Sequence, residues 1–83
     1  MTLDFSTSAL RQLSRLDANT QTRIVEKLKF YISQEQPLRF AEKLTDSRFG
    51  QWRFRIGGYR ALFDVEGDRI VILAIGHRRD IYR

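Results

Sequence analysis

The chain has 83 residues, 42% apolar and 30% charged, with a net charge of +5, one His and no Cys. A single domain spanning 1–83 fits that length, near the lower limit for one hydrophobic core, burying roughly 60–65% of its unfolded surface. Disulfides and thiolate metal sites are excluded, a zinc site would have to rest on carboxylates, and no metal or cofactor is expected. No apolar run approaches the ~20 residues of a membrane span and no leader-like segment opens the chain. A soluble, cytoplasmic protein with an acidic partner is the expectation.

In chain order, Leu3-Asp4-Phe5 reads as a short strand. Ser6 is a candidate N-cap for a helix carrying Leu10, Leu13 and Leu16 at helical spacing, with Ala9 in support. Asp17 or Asn19 caps a second helix, with Ile24, Val25, Leu28, Tyr31 and Ile32 as its apolar stripe. Pro37 stops it. Leu38 to Phe49 reads as a single turn followed by a loop through Asp46-Ser47.

From Gln51 the pattern changes to period two. Trp52, Phe54 and Ile56 alternate with Arg53 and Arg55, and Gly57-Gly58 then makes a hairpin turn. In a two-residue hairpin Ile56 opposes Tyr59 and Arg55 opposes Arg60. Three arginines therefore share one face, a destabilising arrangement unless an anion sits there. Phosphate suits the fork of a guanidinium. Arg60 faces away from the expected core, so Arg60→Ala should spare folding. Gly67-Asp68 marks a second turn, pairing Val65 with Ile70, Phe63 with Ile72, and Ala61 with Ala74. The strand Ile70–Ile75 is apolar on both faces and belongs inside the sheet. Simple alternation puts His77 on the arginine face and Arg78 off it; a bulge at Gly76 would exchange them.

The cations tell the same story. Residues 1–50 carry eight against six acids, and residues 51–83 carry seven against four, all seven arginines. The expected architecture is α+β. An N-terminal helical hairpin packs on one face of a mostly antiparallel, roughly four-stranded sheet, whose other face is open, with an apolar floor and an arginine rim.

This order of elements, with Trp52-Arg53-Phe54-Arg55-Ile56-Gly57-Gly58-Tyr59-Arg60 and the closing Gly76-His77-Arg78-Arg79-Asp80-Ile81-Tyr82-Arg83, resembles the RelE/ParE superfamily of toxins over nearly the whole chain. The resemblance implies a toxin of a type II toxin–antitoxin system. RelE-like members cut mRNA in the ribosomal A site, whereas ParE-like members inhibit DNA gyrase without that catalytic set. Carried over by position, it implies catalytic roles for Arg60, Arg78 and Tyr82. Arg53 and Arg55 match the pre-turn basic residues; His77, Arg79 and Arg83 complete the expected RNA and phosphate contacts. Tyr82 would act as a base, or stack on a base of the message. The pre-turn residues are often Lys in such proteins and are Arg here, and the sequence ends one residue after Tyr82. The implied partners are a cognate antitoxin, the ribosome and mRNA. A gyrase inhibitor and a non-toxic, antitoxin-binding member are the alternatives.

Overall fold

Ser6 and Asp17 each begin a helix by the same device. The Ser6 hydroxyl oxygen accepts the Ala9 N–H at 3.0 Å, and the Asp17 carboxylate accepts the Thr20 N–H at 2.9 Å. These side chains take up backbone donors that the first helical turn leaves without partners. The computed structural model describes residues 1–45 and 50–81. They form β1 (Thr2–Phe5), α1 (Thr7–Ser14), α2 (Ala18–Ser33), a 3-10 turn at Pro37–Phe40, β2 (Ala41–Lys43), β3 (Trp52–Ile56), β4 (Tyr59–Glu66) and β5 (Arg69–His77). The sheet order is β1-β5-β4-β3-β2. β1 runs parallel to β5, and the other neighbours are antiparallel.

The α+β layering is as expected, with five strands rather than four. The added strand is β2, only three residues long, in the stretch that reads as turn and loop. The loop expected at Asp46-Ser47 lies outside the described residues. Both apolar faces of Ile70–Ile75 are explained, because β5 lies between β1 and β4.

The helices cover the face carrying Phe54, Ile56, Ala61, Phe63, Ile70, Ile72 and Ile75, which pack with Ala9, Leu13, Ile24, Leu28 and Tyr31. Tyr31, Phe54 and Phe63 stack in series, with ring centroids 4.6 and 4.4 Å apart. Offset-stacked rings at this spacing add to what their buried area contributes. Leu10, expected to be apolar contact surface, is 51% exposed: α1 presents Ala9 and Leu13 to the sheet and turns Leu10 outward.

Gly57 and Gly67 hold φ of +60°, the left-handed backbone that tight hairpins require. They set the register. Ile56 opposes Tyr59, Arg55 opposes Arg60, Val65 opposes Ile70, and Phe63 opposes Ile72. Beyond that point the pairing departs from simple alternation. Ala61 opposes Ile75, not Ala74, and Leu62 opposes Ala74, so Leu73 is an extra residue in β5. The bulge sits at Leu73 rather than Gly76. Helix α1 holds it: the Ser6 hydroxyl donates to the Leu73 carbonyl at 3.2 Å, and the Ile75 N–H donates to Gln12 Oε1 at 2.7 Å. A bulge leaves ladder groups without strand partners, and here side chains from another layer supply them.

Candidate anion-binding site

β3 and β4 carry Arg53, Arg55 and Arg60 on the sheet face away from the helices, because their apolar neighbours in the alternation face the core. Leu62 and Ala74 form the floor of this face. Both are buried. At one end, a side chain placed at Gly76 would meet the Ile81 Cβ at 3.4 Å, so the turn after β5 lies over that part of the sheet.

The strand that sequence reasoning missed supplies the anion. Glu42 on β2 opposes Arg53 across the β2–β3 ladder. Its Oε2 lies 2.8 Å from Arg53 Nη2 and its Oε1 lies 2.8 Å from Arg55 Nε, so one carboxylate bridges two guanidinium groups. The hydrogen bond from Arg53 holds the Glu42 carboxyl below the ordinary carboxylate range, against a smaller opposing effect of burial; the charges of Arg53, Arg55 and Arg60 add to the lowering. Glu42 is therefore an anion at neutral pH and a weak proton acceptor. Its only sequence signal is a lone acid ten residues before Trp52, which cannot be assigned to a face until β2 is known.

Arg60 is 8% exposed. Its Nη1 donates to the Gly57 carbonyl at 3.0 Å and the Tyr59 carbonyl at 2.9 Å, so this side chain also braces the hairpin turn. Arg60 does face away from the core, as expected, but these bonds give it a part in the turn that the expectation of an unaffected fold in Arg60→Ala left out. Tyr31 ties the same hairpin to α2: its hydroxyl donates to the Arg55 carbonyl at 3.0 Å, and burial pushes its phenol pKa up.

The Leu73 bulge settles the contest between His77 and Arg78. Tyr59 opposes His77, and the two rings meet edge to face at 5.5 Å. His77 thus takes the face of Tyr59 and Ile56, not the arginine face. Arg78 follows in the register. Its backbone N–H donates to the Gly58 carbonyl at 2.8 Å, and the residue is exposed beside the turn that precedes Arg60. Arg79 is exposed in the turn after β5, its N–H directed at His77 Nδ1 at 3.3 Å. Tyr82 and Arg83 lie outside the described residues. The structure thus brings together Arg53, Arg55 and Arg60, anchors Arg78 near them through its backbone, and separates His77 from them. Chemically, the convergent guanidinium groups can hold an anion and stabilise charge developing on it.

Comparison with known proteins gives the family and the fold. The family model described as the ParE toxin of the type II toxin–antitoxin system parDE matches residues 3–82. Toxin RelG of Mycobacterium tuberculosis is 36% identical over 84 residues, which cover 99% of this chain and 95% of that protein. A chain of the toxin–antitoxin complex RelBE2 from Mycobacterium tuberculosis superposes with a TM-score of 0.80 at 33% identity, over 93% of this chain and 96% of that one. A chain of the intact E. coli RelBE toxin–antitoxin complex shares the fold at 20% identity, with a TM-score of 0.67 over 92% and 94% of the two chains.

Proposed function

This chain belongs to the ParE toxin family of type II toxin–antitoxin systems, and we propose that it acts there as a ribosome-dependent mRNA endonuclease in the cytoplasm, restrained by a cognate antitoxin. The observation that carries the reading is that Arg53 and Arg55 close on a single carboxylate, with Arg60 opposite Arg55 on the same sheet face. A face built to hold one anion among several guanidinium groups suits a phosphodiester. The relatives' names support the toxin part: one is a toxin, and the solved neighbours come from toxin–antitoxin complexes.

RNA carries its own nucleophile. The 2′-oxygen attacks the adjacent phosphorus, the bond to the 5′-oxygen breaks, and the products are a 2′,3′-cyclic phosphate and a 5′-hydroxyl. The proton lost from the 2′-OH and the proton gained by the leaving oxygen balance, and no metal enters. Arg60 and Arg78 stabilise the negative charge that builds up on the phosphoryl oxygens, at about 3–4 kcal/mol for a well-placed donor. Arg53 and Arg55 position the phosphate, and Arg79 and Arg83 extend the contact along the message. Tyr82 is assigned the role of general base that takes the 2′-proton. The ribosome supplies the in-line orientation of the message, the largest part of the barrier that this residue set leaves untouched.

Glu42 favours a second reading. Two of the arginines already hold a carboxylate, which suits a face that binds an acidic protein surface, as in a gyrase-inhibiting toxin. Primer extension on translating ribosomes separates the two. Cuts within the A-site codon that disappear in Arg78→Ala, with the variant's circular dichroism unchanged, are the expected result. Intact message together with trapped, cleaved DNA would replace the nuclease reading with gyrase inhibition. Neither effect would leave a non-toxic, antitoxin-binding member.

A further inference from the structure

We propose that the Glu42 carboxylate occupies the seat of a substrate phosphate, and that nucleic acid binds Arg53 and Arg55 only by displacing it. Arg53 Nη2 and Arg55 Nε approach the two oxygens of the same carboxylate, both at 2.8 Å. Two donors from separate residues aimed at two oxygens of one anion match the way two phosphoryl oxygens are held. The placement is fixed by the sheet, since Glu42 lies directly opposite Arg53 and Arg55 is two residues further along the same face.

The acid also has somewhere to go. It lies on β2, a three-residue edge strand with a single neighbour, and its side chain is 44% exposed. Swinging into water exposes a group that is already half solvated, and ion pairs this exposed are weak. Arg55, at 60% side-chain exposure, can turn with the incoming ligand, while Arg53, at 21%, stays as the fixed half of the seat. Glu42 thus sets a threshold. A lone weak anion fails to displace it, whereas a polyanion anchored elsewhere on the arginine face succeeds.

The inference deepens the proposed nuclease function by assigning its phosphate contact, but it needs binding only, so its test avoids cleavage. The probe is a short single-stranded RNA with 2′-O-methyl groups throughout, which has no attacking hydroxyl. Its affinity is followed by fluorescence anisotropy. Glu42→Gln should bind about fivefold more tightly than the natural chain. Glu35→Gln makes the same change in net charge at an exposed position outside the sheet, and should gain less than about half of that. In the natural chain the Glu42 carboxyl carbon and the Arg55 Nε–H should shift in NMR spectra as the probe saturates. This measurement needs no variant. Unchanged or weaker binding by a folded Glu42→Gln chain would overturn the proposal, as would an equal gain in Glu35→Gln. Saturable binding with both signals unmoved, or no saturable binding at all, would do the same. Loss of the nuclease reading by primer extension would leave the affinity ratio standing.

Discussion

Gln12 and Ile75 are joined across the two layers by a 2.7 Å hydrogen bond from the Ile75 N–H to the Gln12 amide oxygen. Ile75 is buried and follows the bulged Leu73 by two residues, so its N–H depends on this helix side chain. Gln12→Leu removes the side-chain acceptor from the N–H of that buried residue. The expected loss is about 1–3 kcal/mol of unfolding free energy by urea titration. An unchanged midpoint would mean that the bulge is held by the strands alone.

Gly50 is a second position where backbone decides. Its φ is +90°, and a Cβ there would come within 2.5 Å of the Phe63 carbonyl oxygen. Strain and clash act together, so Gly50→Ala should cost more than about 1 kcal/mol and exceed the cost of Gly57→Ala. Gly57 shares the positive φ but has open space around its Cα. Thermal midpoints of the two variants, measured side by side, test the order.

Arg60 should prove structural as well as functional. Removing a buried guanidinium that serves the Gly57 and Tyr59 carbonyls in Arg60→Ala is expected to cost about 1.5–3 kcal/mol in chemical denaturation. A variant as stable as the natural chain would show that the turn glycines suffice to hold the hairpin. For the same reason a loss of toxicity in Arg60→Ala carries weight only beside a folding measurement, whereas exposed Arg78 has no such complication.

Acid should weaken the fold through two identifiable carboxylates. Asp17 is held below its ordinary value of 3.8 chiefly by the Thr20 backbone N–H, and Glu42 below 4.5 chiefly by Arg53. Each binds its proton less readily folded than unfolded. Their stabilisation is therefore full above those ordinary values, and is lost as pH falls through the lower folded ones. Urea midpoints should fall less steeply on acidification in a chain carrying Asp17→Asn and Glu42→Gln than in the natural one. Parallel curves would assign the acid loss to other groups.

The two hairpins were legible because their signals are local. Gly57-Gly58 and Gly67-Asp68 fix the turn, and the turn fixes the register of Arg55 against Arg60. The helix start at Ser6 was legible for the same reason, and the second was narrowed to Asp17 or Asn19, of which Asp17 is the cap. The bulge was not, because nothing at Leu73 itself marks it; its partners come from Ser6 and Gln12, more than sixty residues earlier. β2 is too short for periodicity to show, and Glu42 was lost with it. The face of His77 followed from the bulge, and the one-residue change in parity could be read only from the pairing.

The pairing of Thr2–Phe5 with Arg69–Ile72 brings the first and last strands of the described chain side by side at one edge of the sheet. During synthesis β1 emerges first, yet among the described residues its one strand neighbour is β5, the last of the five. The sheet cannot close until β5, which ends at His77, has left the exit tunnel, and such long-range closure is slow. A truncation ending at Asp68 should accordingly show no cooperative unfolding transition. A nascent chain that stops short of β5 therefore lacks the strand that joins β1 to β4.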